Sequence, residues 1–213
     1  MNTVDYFRPW RSRPAPSLTV LQKQWLTRPG ALTAALRELG KLELRVLAEY
    51  PAGARPDEAH RLLLTQQSPV WVREIVMVVA QRECVVARSV TPLQASHGVW
   101  QGVRKLRNRP LADILYDDVA IVRSNFEVAQ LHRQTPLFKT VTRLHTHSLQ
   151  RPLARQPLLA RRSAFWRQGS PLLVAECFLP EFWTLFKNQP PGHRDGYHWP
   201  QHSHLADPWT NAK

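Results

Sequence analysis

The sequence predicts an α+β fold, in which a single antiparallel sheet of about six strands is covered by helices on one face. Short apolar runs rich in valine and isoleucine alternate with stretches of helical period, and most of these runs lie close enough together for hairpins. A chain of 213 residues that is 43% hydrophobic can bury the core that this fold needs. Its length fits one domain with tails.

The first helix and the first strand follow each other directly. In WLTRPGALTAALRELGK (25–41), apolar residues recur at helical spacing after Pro29, and Gly40 is a typical stop signal. In KLELRVLAEY (41–50), apolar and charged residues alternate, which predicts a half-buried strand. The change of period near Gly40 therefore separates a helix from a strand.

The next two apolar runs predict a hairpin, and helical turns follow it. VWVREIVMVVA (70–80) and ECVVARSV (83–90) are rich in β-branched residues and are separated by only two residues. After them, WQGVRKLRNRPLADILYDD (100–118) has helical period. Because proline ends or kinks a helix, we expect a break at Pro110 and a second helical turn that ends near Tyr116.

The remaining strands complete the predicted sheet. VAIVRSNFEV (119–128) is one of them, and SAFWRQ (163–168) and PLLVAECFLP (171–180) form a further pair. Gly169 and Ser170 are typical turn residues, so the last pair is a predicted hairpin.

Composition divides the chain into a central domain and two ends. Residues 1–23 are rich in proline and arginine and predict a poorly ordered arm, while 183–213, rich in histidine and proline, predict a disordered tail. The domain predicted between them, 24–182, contains a basic segment at about 132–158 without clear periodicity, which we expect to be a long loop or insertion.

The charge and the hydropathy of the sequence indicate more about the cellular location of the protein than about its function. The net charge of +13 fits nucleic acid, an anionic membrane surface or small anionic substrates, and by itself does not choose among them. No run of 18 apolar residues occurs and the first twenty residues lack a signal-peptide centre, so we expect a cytoplasmic protein without an integral membrane segment. Cys84 and Cys177 form no CxxC motif and are expected to be free core thiols.

Two charged side chains occupy apolar rows of predicted strands. Alternation places Glu176 on one face with Leu172, Val174 and Phe178. It places Arg73 on one face with Trp71, Ile75 and Met77. A buried charge needs a partner, so the two could form a salt bridge, or Arg73 could pair with a neighbouring acid such as Glu74. Alternatively they line a pocket, in which a guanidinium binds a carboxylate and a carboxylate binds a hydroxyl.

Four ordered motifs carry a resemblance to a known family. They are WVREIVMVVAQRECVVARSVTP, LRNRPLADILY, ARRSAFWRQGSPLLVAECFLP and, before these, the helix WLTRPGALTAAL. In this order and spacing they resemble the chorismate lyase family of ubiquinone biosynthesis, over roughly residues 24–182. The resemblance implies a monomeric enzyme that splits chorismate into 4-hydroxybenzoate and pyruvate without metal or organic cofactor.

The resemblance also implies which residues bind the substrate. Arg73 would bind the ring carboxylate and Glu176 the ring hydroxyl, and these two are the predicted catalytic residues. Leu32 and the backbone of Leu111 would complete the substrate-binding positions. Whether Glu176 accepts a proton or only orients the hydroxyl stays open.

Other residues are candidates of lower rank. Chorismate is a dianion, so a second arginine could bind its enolpyruvyl carboxylate; Arg88 and Arg161 are candidates, with a structural role as the alternative for each. His145 and His147 form an HxH pair and four more histidines lie in the tail, but the spacing is not that of known zinc sites, and no metal is predicted.

Two functions of other classes remain as alternatives. One is a non-catalytic small-molecule sensor of the same fold, like the effector domains of GntR-type regulators. The other is a basic adaptor that uses residues 128–167 to bind nucleic acid or membrane, although no helix-turn-helix pattern supports nucleic-acid binding.

Overall fold

The computed structural model describes residues 9–116, 118–146 and 157–186. The helices in these ranges are α1 (Val20–Thr27), α2 (Leu32–Glu38), α3 (Pro56–Leu62), α4 (Gln101–Arg104), α5 (Ala112–Leu115), α6 (Pro136–Leu144) and α7 (Pro180–Thr184), with a 3-10 turn at Ala95–His97. The strands are β1 (Leu42–Gly53), β2 (Pro69–Val79), β3 (Arg82–Pro92), β4 (Val122–Arg123), β5 (Glu127–Gln130), β6 (Leu159–Arg167) and β7 (Ser170–Phe178).

The strands form a single antiparallel sheet in the order β1-β2-β3-β7-β6-β4, with β5 also paired to β6. The predicted α+β class with one antiparallel sheet is confirmed. The described part of the chain has seven strands because the run predicted as one strand over 119–128 is split into β4 and β5. At the split, the amide of Ala164 donates to the Ser124 side chain at 3.0 Å, so a hydroxyl takes the place of a ladder carbonyl.

Tight turns with positive φ angles join the two predicted hairpins. Ala80 and Gln81 have φ angles of 46° and 64° between β2 and β3, and Gln168 and Gly169 have 49° and 73° between β6 and β7. Turns with two successive positive φ angles match the right-handed twist of paired strands. Both hairpins are confirmed, each with its turn one residue earlier than the sequence predicts.

The helices cover both faces of the sheet, whereas the sequence predicts one covered face. We define the front face as the side of β2 that carries Arg73, Ile75 and Met77, and the back face as the opposite side. Helices α1, α2, α4, α5 and α7 pack on the front, while α3 and α6 pack on the back. The reason is that the central strands are apolar on both sides, so that both faces need cover.

An aromatic cluster closes the front face beside β7. Trp25 of α1 lies 4.9 Å from the ring of Phe182 in α7 and 6.4 Å from Phe178, in edge-to-face arrangements. Such pairs contribute about 0.5–1.5 kcal/mol each beyond their buried area. Phe186 joins them at 5.7 Å from Trp25, so the part of the predicted tail that the structure describes is packed.

The amino-terminal arm also differs from its prediction. From residue 9 onward the chain is described, and the backbone of Arg11 pairs with Val128 through two hydrogen bonds of 2.8 Å. The ring of Trp10 lies 4.4 Å from the Arg162 guanidinium. The arm therefore adds to the sheet, although a run rich in proline and arginine predicts poor order. Residues 1–8 and 187–213, with the histidines of the tail, lie outside the described residues.

The basic segment at 132–158 contains a helix where the sequence predicts a loop. Pro136 begins α6, and Leu137, Val141 and Leu144 fall at helical spacing and pack on the back face. The pattern is present in PLFKTVTRL but is only nine residues long, so it does not stand out. His145 ends this helix and is buried, and its predicted partner His147 lies outside the described residues.

Both cysteines are free and fully buried, as predicted. Burial raises the pKa of Cys84 to about 11 and also raises the pKa of Cys177. Because the thiolate is the reactive form, both thiols are inert in the folded protein.

We expect a thiol-specific chromogenic reagent to label neither cysteine of the folded protein at neutral pH. After unfolding in denaturant, it should label two thiols per chain. Absorbance after reagent addition measures both states. Labelling of the folded protein as fast as that of the unfolded protein would contradict the packing described for Cys84 and Cys177.

Candidate functional site

A cavity lies on the front face, between the sheet and the helices α2 and α5. The empty space within it is about 530 Å³, a figure that includes open solvent at the mouth. The lining is largely apolar, from Leu44, Ile75, Met77, Ala87, Leu115, Phe165 and Val174. The polar side chains in the lining are those of Thr33, Ser89, Tyr116, Arg123, Arg161, Ser163 and Glu176. A mostly apolar cavity with a few converging polar groups is typical of a small-molecule site.

Glu176 enters the cavity from β7 and is paired with Arg161 of the neighbouring strand. The register places Arg161 directly opposite Glu176, and the guanidinium Nε donates to the carboxylate Oε2 at 2.7 Å. The Nη1 of Arg161 also donates to the carbonyls of Trp25 and Arg28, at 3.2 and 2.9 Å. The acid in the apolar row therefore has a partner, and that partner also fixes the end of α1.

Arg73 is buried on the same face, with 1% of its surface exposed, and is paired with Glu49. A bulge in β1 inserts one residue between Val46 and Ala48, and it brings Glu49 opposite Arg73 on the front face. Without the bulge, Glu49 would point to the back. Arg73 Nε donates to Glu49 Oε1 at 2.9 Å. Arg73 therefore pairs neither with Glu176 nor with Glu74.

The rest of the Arg73 guanidinium holds the segment that precedes α5. Its Nη2 donates to the carbonyls of Arg107 and Arg109, at 2.6 and 3.3 Å. Its Nη1 is buried and has no hydrogen-bond partner among the described residues. Burial lowers the pKa of Arg73, and Glu49 partly offsets this. A buried donor without a partner is costly, so Nη1 is suited to an acceptor from a ligand.

The four predicted site residues lie around one side of the sheet. Leu32, the first residue of α2, and Leu111, just before α5, both line the cavity together with Glu176. Arg73 itself is not among the lining residues, but its strand neighbours Ile75 and Ser89 are. The register puts the Cα atoms of Arg73 and Glu176 about 12 Å apart, by the usual strand spacings.

Five of the polar lining residues are not predicted from the sequence, and these are Thr33, Ser89, Tyr116, Arg123 and Ser163. Arg123 donates from Nε to Ser163 Oγ and from Nη1 to the Tyr116 hydroxyl, at 3.1 Å each. Alternation along ARRSAF places Arg161 and Ser163 on one face, which could have indicated Ser163. Arg123 ends the two-residue strand β4 and carries no pattern of its own.

Arg88, a candidate for the enolpyruvyl carboxylate, lies on the back face instead. It donates to Glu58 Oε1 and to Glu74 Oε1, each at 2.6 Å. The hydroxyls of Tyr50 and Thr140 also donate to Glu74. This assignment is therefore wrong for Arg88, because an even-numbered residue of β3 points away from the cavity. Its structural alternative is correct.

Comparisons with known proteins show the family of the chain. A family model described as chorismate lyase matches residues 10–187. The chain belongs to the chorismate lyase family. The predicted resemblance is confirmed, and the match is wider than the motifs at 24–182 suggest. All four predicted site residues lie inside the matched range.

Similar proteins cover most of the chain. It is 55% identical to a "Probable chorismate pyruvate-lyase" of Bordetella pertussis, over 85% of this chain and 94% of that protein. It is 41% identical to "Probable chorismate pyruvate-lyase 1" of Burkholderia pseudomallei, over 83% of this chain and 92% of that protein. Among solved structures, the effector domain of PhnF from Mycobacterium smegmatis has a TM-score of 0.49 and 15% identity, covering 71% of this chain and 89% of that chain. That likeness is too weak to bear on function.

We expect Arg88→Met to destabilise the chain by about 3–5 kcal/mol, because it leaves the buried carboxylate of Glu58 without its cation and removes the buried one of the two cations that pair with Glu74. Urea unfolding measures the change. Arg143→Met is the matched control: Arg143 pairs with the same Glu74, but its side chain is 53% exposed, so we expect about 0–1 kcal/mol. Equal losses of stability in the two variants would contradict the described burial.

Proposed function

We propose that the chain is a chorismate pyruvate-lyase, which converts chorismate into 4-hydroxybenzoate and pyruvate. Membership of the chorismate lyase family, over most of the chain, is the observation that carries the proposal. The cavity supports it, because apolar walls suit a six-membered ring, and buried arginines at the cavity and beside it suit an anionic substrate.

In the proposed complex, the ring lies between the residues of the two strands. The ring carboxylate binds Arg73, whose Nη1 is the unpartnered donor, and the backbone of Leu111. The ring hydroxyl, on the far side of the ring, binds Glu176, which uses Oε2 for Arg161 and has Oε1 for the substrate. Leu32 packs against the ring from α2. The separation of about 12 Å between the strand positions of Arg73 and Glu176 accommodates both side chains and one ring.

The reaction is an elimination that makes the ring aromatic. The bond between the ring and the enolpyruvyl ether oxygen breaks, the hydrogen on the hydroxyl-bearing ring carbon is lost, and the enolpyruvyl group takes up one proton to become pyruvate. Because aromatisation makes this strongly downhill, the protein has mainly to hold a reactive conformer and to stabilise charge on the departing oxygen. Binding both ends of the ring holds the reactive conformer. A guanidinium near the departing oxygen stabilises the charge that develops there.

The direct test is incubation of the purified protein with chorismate in the presence of a chelator. We expect 4-hydroxybenzoate and pyruvate in equal amounts, measured by chromatography and by a coupled dehydrogenase assay. Binding of chorismate without products would favour the sensor of the same fold. Absence of binding, together with salt-dependent binding of nucleic acid, would favour the basic adaptor.

The cellular setting remains a prediction. No helix within the described ranges is both long and apolar enough to span a membrane. Within those ranges, no cluster of three or more histidine, cysteine or acidic side chains could hold a metal ion. The monomeric state and a role in ubiquinone biosynthesis rest on the resemblance, and the cytoplasmic location is the expectation drawn from the sequence. Light scattering and cell fractionation test the first two.

We expect Arg73→Ala to lower kcat/KM for chorismate by several kcal/mol of transition-state stabilisation, because it removes the carboxylate anchor and releases the segment before α5. Glu176→Gln should cost less if Glu176 only orients the hydroxyl. Steady-state kinetics give both values, with thermal unfolding as the check on folding. Equal rates for the wild type and Arg73→Ala would end the proposal, while a larger loss in Glu176→Gln would indicate proton transfer.

We expect product release to limit turnover, because 4-hydroxybenzoate keeps the carboxylate and the hydroxyl that both ends of the site bind. Rapid mixing of enzyme with excess chorismate should then give a burst close to one 4-hydroxybenzoate per active site, followed by a slower steady rate. Formation that is linear from the first turnover would show that chemistry limits instead.

A further inference from the structure

Chorismate has two carboxylates, and on the proposed function the cavity must bind both. The first is on the ring, opposite the hydroxyl. The second belongs to the enolpyruvyl group, whose ether oxygen is attached to the ring carbon next to the hydroxyl-bearing carbon. With the hydroxyl at Glu176 and the ring carboxylate at Arg73, the second carboxylate therefore lies at the Glu176 end of the cavity. A cation is needed there.

Two other arginines near the centre of the sheet already pair with carboxylates of the protein. Arg88 is on the back face, between two buried carboxylates. Arg161 lines the cavity, but it already donates to Glu176 and to two carbonyls of the α1 end. Its charge is compensated by Glu176.

Arg123 lies at the required end and has no such partner. It lines the cavity together with Glu176, and it makes no ion pair with any residue in the described part of the chain. Its Nε and Nη1 donate to Ser163 and Tyr116, both neutral and both lining the cavity. Its Nη2 donates to nothing in those same ranges. The guanidinium is thus held in place by two hydroxyls, and no carboxylate of the described residues is in ion-pair contact with it.

The surroundings of Arg123 fix it further. Its Cζ lies 3.8 Å from the ring centroid of Phe126, and the Cζ of Arg161 lies 4.4 Å from the same ring. Burial and the neighbouring charge of Arg161 lower the pKa of Arg123, while Tyr116 and Glu176 partly offset this. A carboxylate from a ligand would compensate a guanidinium that is already oriented, so the binding step would restrict little further side-chain freedom.

Resting on the lyase function, we propose that Arg123, oriented by Tyr116 and Ser163, binds the enolpyruvyl carboxylate of chorismate. This interaction exists for the substrate but not for 4-hydroxybenzoate, which lacks the second carboxylate. Arg123 thereby favours the dianionic substrate over the product. Its charge also lies near the ether oxygen, where negative charge develops as the bond to the ring breaks.

The test compares Arg123→Gln with the wild type for two ligands. We expect kcat/KM for chorismate to fall on the order of 100-fold, because the variant cannot form a charge-assisted bidentate hydrogen bond to the carboxylate. The affinity for 4-hydroxybenzoate, measured by calorimetry, should change by less than about 3-fold, since removing a charge-assisted hydrogen bond from that complex would have a larger effect. Arg123→Lys keeps the charge without the fork and should recover part of the activity. Arg37→Gln, an exposed arginine on α2, is the matched control and should change neither value.

The results of these measurements distinguish substrate binding by Arg123 from a purely structural role. Equal losses for chorismate and 4-hydroxybenzoate would show a structural role and overturn the assignment, as would unchanged kcat/KM in Arg123→Gln. If Arg123→Gln does not fold, Tyr116→Phe and Ser163→Ala, which remove one orienting hydroxyl each, should still raise KM for chorismate and spare 4-hydroxybenzoate affinity; failure of both to do so overturns it. A wild-type protein that leaves chorismate intact refutes the lyase function itself.

Discussion

The ion pair between Arg161 and Glu176 is the interaction on which the site depends. A carboxylate in an apolar row costs several kcal/mol unless it is paired, and the antiparallel register supplies a guanidinium directly opposite. The same guanidinium donates to carbonyls at the end of α1, so it draws the α1–α2 turn, and with it Leu32, over the sheet. One side chain thus keeps the charge of Glu176 in the cavity and fixes part of the cavity wall.

Arg73 has the same structural role at the other end of the cavity. It donates to Glu49 across the strand pair and to two carbonyls before α5, the segment that carries Leu111. Both walls that face the sheet are therefore held by arginines that bridge from a strand to backbone carbonyls. This use of arginine explains why a cavity can persist between short helices, since α5 has only four residues and could not be stable without tertiary contacts.

Alternation alone could predict which side chains share the front face, and it did so for Arg73 and Glu176. It could not predict their partners, because these depend on long-range pairing. Glu49 reaches Arg73 only through a bulge in β1, and sequence alternation without that bulge would place it on the back. The adjacent arginines in ARRSAF point to opposite faces, and only the register decides that Arg161 meets Glu176. The helix α6 was missed because nine residues give too short a periodic signal.

The two faces of the sheet use buried charge differently. On the back, Arg88 is matched by Glu58 and Glu74. Around the cavity, the described residues place three guanidiniums, those of Arg73, Arg123 and Arg161, against two carboxylates, those of Glu49 and Glu176. Surface charges are screened within about 8 Å at physiological salt, whereas buried charges are screened much less. For the proposed dianionic substrate, this local excess of positive charge therefore matters more than the total of +13.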